Sequence, residues 1–179
     1  MKKEFIISAV GLNVPGIVAR VSKAVYESKG NFEDSTMTLL GNRFALMVLV
    51  TAADENIARD LEDACSRLET DRDMDINLFP VDDKRIDFGP EHSTPNYEIR
   101  VKGADRMGIV YRTTQLLASL NINIVELDTK LVAAKDGTPV FSMRTAVVVP
   151  ETVNGETLRK DLKLLAEDNR ETISLTRIS

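Results

Sequence analysis

Two short segments hold the residues best suited to bind a small ligand. One reads Gly-Leu-Asn-Val-Pro-Gly-Ile-Val over residues 11–18, and the other reads Gly-Ala-Asp-Arg-Met-Gly-Ile-Val over residues 103–110. Asn13 and Asp105 are residue types that favour a helix N-cap, where a side-chain oxygen accepts from free backbone N–H groups. Gly16 and Gly108 are expected inside the first helical turn, where Gly costs about 0.5–1 kcal/mol relative to Ala. Their presence in both segments indicates that something approaches this backbone closely.

The start of a helix suits a carboxylate, because its free N–H groups carry partial positive charge. An amino acid would bring such a carboxylate. Asn31 and Asn123 follow the predicted first helix and begin the next strand, where an amide could accept from an ammonium group as well as donate. Structural roles stay open for all of these residues: helix capping, a first-turn position for Pro15, and turn formation after the helix.

The two segments belong to an internal repeat, and such a repeat determines how the whole fold is interpreted. A shift of 92 residues places Gly11 on Gly103 and Asn31 on Asn123. The same shift aligns the alternating apolar residues of one strand: Phe5, Ile7 and Ala9 with Tyr97, Ile99 and Val101. Further along, the shift is 97, and the five inserted residues fall in the turn-forming stretch 135–139.

Hydrophobic periodicity predicts the same order of elements in both halves. An alternating strand is followed by an amphipathic helix, a hairpin of two strands, a second helix and a last strand. Such a βαββαβ unit forms a four-stranded antiparallel sheet with both helices on one face, so the fold class is α+β. We predict one domain over residues 1–82, a linker over 83–94 and a second domain over 95–179. The open face of the first sheet, with Ile6 and Val10, is expected to need solvent or a partner.

Composition excludes several functional classes. The formal net charge of -5 argues against nucleic-acid binding, which depends on clustered Lys and Arg. Cys65 and His92 are single residues of their types, so neither a disulfide nor a metal cluster is expected, and Cys65 is predicted to lie in the core. No apolar run approaches the roughly 20 residues of a membrane span, and no signal peptide is recognisable, so a cytoplasmic protein is expected. No cofactor is expected.

The two glycine-containing segments, together with Lys-Gly-Asn-Phe and Asn-Ile-Asn-Ile after the predicted first helices, resemble ACT domains. The resemblance covers nearly the whole chain, and two such domains without an attached enzyme resemble the glycine cleavage system transcriptional repressor group. It implies a ferredoxin-like fold in which sheets pair side by side and small ligands, usually amino acids, bind at the seam.

The resemblance also implies the ligand-binding positions. These are Asn13, Val14, Pro15, Gly16, Ile17 and Asn31 in the first repeat, and Asp105, Met107, Gly108, Ile109 and Asn123 in the second. Two positions depart from the family pattern, because the usual acidic residue is Asn13 in the first repeat and the usual proline is Met107 in the second. One turn could therefore bind a ligand while the other is structural.

The leading hypothesis is a non-catalytic regulator that senses an amino acid, with glycine suggested by the resemblance alone. Ligand binding would alter a homodimer or higher oligomer and thereby its contact with a transcription activator. A dimerisation module without a ligand is the main alternative. An acylphosphatase-like enzyme using Arg106 is disfavoured because the first repeat has no matching Arg. An RNA-binding sheet is disfavoured because aromatic residues make up only 5% of the chain.

Overall fold

The computed structural model describes residues 3–52, 57–71, 74–81, 94–133, 137–169 and 171–178. The chain divides into two compact units, Met1–Arg85 and Ile86–Ser179. Apart from Thr94, the predicted linker lies outside the described residues, as does His92. The predicted domain boundaries therefore stay predictions, and each unit is described by itself.

The first unit has the predicted βαββαβ order. Its elements are β1 (Lys3–Leu12), α1 (Ile17–Glu27), β2 (Asn31–Leu40), β3 (Arg43–Ala52), α2 (Ile57–Asp71) and β4 (Met74–Val81). The strands form one antiparallel sheet in the order β2-β3-β1-β4, so β2 and β4 are its edges.

The second unit repeats this arrangement. Its elements are β5 (Tyr97–Ala104), α3 (Ile109–Ser119), β6 (Asn123–Ala133), β7 (Pro139–Val148), α4 (Gly155–Asn169) and β8 (Glu171–Arg177). The sheet order is β6-β7-β5-β8, again antiparallel. A register shift interrupts β2 between Phe32 and Ser35, and another interrupts β6 between Ile124 and Glu126, which is the corresponding place in the repeat. The predicted fold class is confirmed.

Each unit has its own core between the helices and one face of the sheet. In the first unit α1 buries Ile17, Val21, Ala24 and Val25, which repeat at the spacing of one helical face. Val18, which the periodicity placed in the same stripe, is 43% exposed because it lies about 100° around the helix from Ile17. Cys65 is buried in this core, as predicted.

The open faces of the two sheets differ in chemistry. In the first unit Phe79 is paired with Ile6, and Met47 and Val10 on the same face are exposed apolar residues. In the second unit Glu98 accepts hydrogen bonds from Arg144 Nε at 2.6 Å and from Arg100 Nε at 2.5 Å. The expected exposure of Val10 is thus observed, whereas the second open face carries an ion network.

Candidate ligand-binding turns

The first turn connects β1 to α1 through residues 13–16. The Asn13 N–H donates to the Asn42 carbonyl oxygen at 2.9 Å, which ties the turn to the β2–β3 hairpin. Gly16 is the N-cap of α1, with φ 90° and ψ 3°, and its carbonyl oxygen accepts from the Arg20 N–H at 3.0 Å. The left-handed φ is a conformation that glycine adopts without strain and other residues avoid.

The second turn has the same backbone. Gly108 is the N-cap of α3, with φ 91° and ψ 3°, and its carbonyl oxygen accepts from the Arg112 N–H at 2.9 Å. Met107, which replaces the proline of the first turn, is 96% exposed. The two turns therefore share one conformation despite their different side chains.

Three sequence-based interpretations of these turns are wrong. Gly16 and Gly108 precede the helices, and their positive φ explains why both repeats have glycine there. Around Gly16 no described atom lies within 4 Å of the place a Cβ would occupy. Asn13 and Asp105 lie three residues before the N-caps, and neither helix has a side-chain cap among the described residues. Pro15 precedes the N-cap and is not in the first helical turn. The N–H groups at both helix starts thus lack the side-chain acceptor expected from the sequence.

The predicted site residues do not all lie together within one unit. Residues 13–16 and 105–108 are the two turns, and Ile17 and Ile109 are the first residues of the helices that follow them. Leu12 is paired with Arg43 and Asn31 with Thr51, so at about 3.3 Å per residue Asn31 lies about 26 Å along β3 from the turn. The second unit has the same separation, because Ala104 is paired with Val140 and Asn123 with Val148.

Asn31 belongs to a small polar cluster that sequence analysis missed. Its Nδ2 donates to Glu33 Oε1 at 2.8 Å, and Thr51 Oγ1 donates to the same oxygen at 2.7 Å. The repeat places Val125 and Val148 at the positions of Glu33 and Thr51. The two repeats therefore differ in chemistry around the first residue of their edge strands.

Arg112 and Glu171 were also missed, and both lie at the second turn. Arg112 Nη1 donates to the Met107 carbonyl oxygen at 3.3 Å, and Nη2 lies 3.9 Å from Glu171 Oε1. Burial raises the pKa of the Glu171 carboxyl above its ordinary value, and the positive charges of Arg112 and Arg106 partly oppose this. Alignment of Arg20 with Arg112 was a usable sequence signal, but the position of Glu171 follows only from the pairing of β5 with β8.

Three observations on the described residues concern metal binding, membrane crossing and the acylphosphatase alternative. No group of three or more His, Cys, Asp or Glu side chains there is arranged to hold a metal ion. Among the same residues, no helix combines the length and apolar character needed to cross a membrane. Arg106, the residue of the acylphosphatase alternative, is exposed in the second turn.

Comparisons with known proteins agree with this fold. Residues 3–78 match the family model described as the ACT domain. The crystal structure of an unknown protein from Galdieria sulphuraria is similar over 100% of both chains, with a TM-score of 0.78 and 28% identity. A structure provisionally described as a glycine cleavage system transcriptional repressor has a TM-score of 0.73 and 21% identity, covering 100% of this chain and 99% of that one.

A curated sequence relative matches a smaller part of the chain. A UPF0237 protein from Methanopyrus kandleri is 32% identical over 53 residues, which are 30% of this chain. The match spans 59% of that relative's length, so it supports similarity of one segment and not of the whole protein.

Proposed function

We propose that this chain is a tandem ACT-domain protein, because residues 3–78 match the ACT domain and the second unit repeats the same fold. We further propose that it is a non-catalytic, cytoplasmic regulator that binds an amino acid at its β1–α1 and β5–α3 turns. The observation that carries this proposal is the pair of uncapped helix starts, each preceded by a glycine at positive φ. Backbone N–H groups at a helix start attract an anion, with a contribution of about 0.3–1 kcal/mol that reaches about 2 when partly buried. The carboxylate of an amino acid satisfies this requirement.

A second copy of the chain would complete the site. Asn31 lies at the opposite end of β2 from the turn of its own unit, and β2 is an edge strand whose Leu39 and Leu40 are exposed. If the β2 edges of two copies pair antiparallel, Asn31 of one copy approaches the Asn13–Gly16 turn of the other. A long exposed edge strand is normally covered, so such pairing also protects the edge. We therefore propose a homodimer or higher oligomer whose ligands lie at the seam between sheets.

The regulated process is proposed from the resemblance to the glycine cleavage system transcriptional repressor group and from the structural neighbour described in those words. Glycine is the first candidate ligand on this basis. The net charge of -5 favours contact with a protein over contact with DNA, so the output would be altered binding to a transcription activator.

Isothermal titration calorimetry of the full chain with the 20 proteinogenic amino acids tests the proposal. A sensor must release its ligand when supply falls, so we expect a dissociation constant between micromolar and millimolar, or about -8 to -4 kcal/mol. Asn31→Ala should weaken binding, whereas Asn77→Ala, an exposed position on β4, should not.

The oligomeric state separates the sensor from a dimerisation module. Analytical ultracentrifugation with and without the bound amino acid should show a ligand-dependent change in association. If none of the 20 amino acids binds at millimolar concentration and the oligomer still forms through β2, the chain is a dimerisation module and the sensor proposal is wrong.

A further inference from the structure

A buried carboxylate with an unused acceptor lies beside the second turn. Glu171 is the first residue of β8 and is paired with Gly103, at the end of the sheet where the turn begins. Its side chain is 2% exposed, and its Oε1 is buried without a hydrogen bond from any residue that the structure describes. Burying a charged acceptor without a donor is costly, so such an atom needs a reason for its position.

The nearby guanidinium does not satisfy this carboxylate. Arg112 Nη2 lies 3.9 Å from Glu171 Oε1, which is too far for a hydrogen bond. Arg112 Nη1 donates instead to the Met107 carbonyl oxygen, and Nε is buried without an acceptor among the described residues. One anionic acceptor and one cationic donor are thus both unused next to the same helix start.

The repeat shows that the fold does not require a carboxylate here. Arg20 of the first unit corresponds to Arg112, but the residue corresponding to Glu171 is Met74, which is buried and opposite Gly11 as Glu171 is opposite Gly103. An apolar side chain therefore occupies this position in the first unit and packs into its core. The carboxylate of the second unit is an addition to the shared fold.

We propose that Glu171 accepts a hydrogen bond from the ammonium group of an amino acid bound at the second turn. This interaction makes the second turn selective for a zwitterion. The ligand carboxylate would accept hydrogen bonds from the N–H groups at the start of α3 and from the unused Nε of Arg112. One carbon atom separates the two charged groups of an α-amino acid. Since Arg112 Nη2 and Glu171 Oε1 are 3.9 Å apart, one zwitterion can contact both side chains. This inference rests on the proposed function and assigns the first turn, with Met74, no such selectivity.

Admission of the ligand requires a side chain to move, and Arg112 is suited to that movement. Its side chain is 36% exposed, and its guanidinium lies against Gly108, where a Cβ would stand 2.7 Å from Nη1. Rotation of this long side chain towards a bound carboxylate would uncover Glu171 without displacement of the backbone.

Matched ligands with and without the ammonium group test the proposal on the full chain. Glycine is compared with acetate, and L-alanine with propionate, by calorimetry and by the NMR shifts of the Gly16 and Gly108 amides. We expect the amino acids to shift the Gly108 amide and the carboxylates alone to leave it unchanged at equal concentration. Glu171→Gln should weaken amino-acid binding at Gly108 by about 10–100-fold, in line with loss of a charged hydrogen bond.

Glu171→Met, which copies the first unit, should give the same loss, while Met74→Leu should leave binding at Gly108 unchanged. If the wild-type Gly108 amide responds equally to glycine and acetate, or if Glu171→Gln binds the amino acids like wild type, Glu171 is not the ammonium acceptor. Such results leave the amino-acid sensor intact. If no amino acid binds either turn of the wild-type chain, the proposed function and this inference fail together.

Discussion

Replacement of Gly16 or Gly108 by Ala should destabilise the unit that carries it, although neither glycine lies inside a helix. Both are N-caps at φ near 90° and ψ 3°, where an L-residue is strained. The left-handed conformation costs an L-residue about 1–2 kcal/mol. Part of this is offset because Ala also lowers the entropy of the unfolded chain, by about 0.4–1 kcal/mol. The expected net loss for Gly16→Ala is therefore about 1 kcal/mol.

Gly108→Ala should lose more stability than Gly16→Ala. No described atom lies within 4 Å of the Cβ position at Gly16, so only the backbone conformation opposes the substitution there. At Gly108 the new Cβ would lie 2.7 Å from Arg112 Nη1, so the guanidinium must move and its hydrogen bond to Met107 is lost. An exposed bond of 3.3 Å is weak, so this adds at most about 0.5 kcal/mol.

Differential scanning calorimetry measures this effect. A loss of about 1 kcal/mol lowers the midpoint by about 4–8 °C in a domain of 60–100 residues. Gly41→Ala is the matched control, because Gly41 has φ 62° and open space around it but lies in the β2–β3 hairpin. If Gly16→Ala keeps the wild-type midpoint while Gly41→Ala is destabilised, positive φ does not explain Gly16, and a close approach by a ligand becomes the better reason for the glycine.

Three further predictions concern individual residues. Hydrogen bonds from Arg144 and a second arginine lower the pKa of Glu98. The stabilisation that ionised Glu98 gives the folded protein is therefore complete above the ordinary carboxyl pKa and is lost as pH falls through the lowered value. Glu98→Gln should flatten the decline of the thermal unfolding midpoint below about pH 4.5. Burial raises the pKa of Cys65 to about 11, so at pH 8 iodoacetamide should alkylate it about 100-fold more slowly than in urea; equal rates would contradict its burial. Gly30→Ala places a Cβ 2.8 Å from Val50 Cγ1 and should cost about 1–3 kcal/mol in urea unfolding, with an unchanged midpoint counting against the packing described.

The sequence predicted the fold well because its signals are local and repeated. Alternation and helical spacing placed the first hairpin strand at Asn31–Gly41, and the structure has β2 at Asn31–Leu40. Gly16 could not be placed with the same accuracy, because a glycine just before a helix and one just inside it look alike in sequence. Glu171 was missed for a different reason: it approaches the second turn only through the register that pairs it with Gly103. Pairing between strands that are distant in the chain cannot be recognised from a short stretch of sequence.

The difference between the two turns must come from side chains, because their backbones are the same. Gly16 and Gly108 agree within about 1° in φ, and both helix starts offer N–H groups to an anion. What changes is charge: Asn13, Val14 and Met74 of the first repeat correspond to Asp105, Arg106 and Glu171 of the second. The second turn thus gains two carboxylates and one guanidinium, and under our proposal this mixed charge suits a zwitterion better than a purely anionic ligand. If the proposal is right, one shared backbone conformation with two charge environments lets a single chain respond differently to an amino acid and to a simple carboxylate.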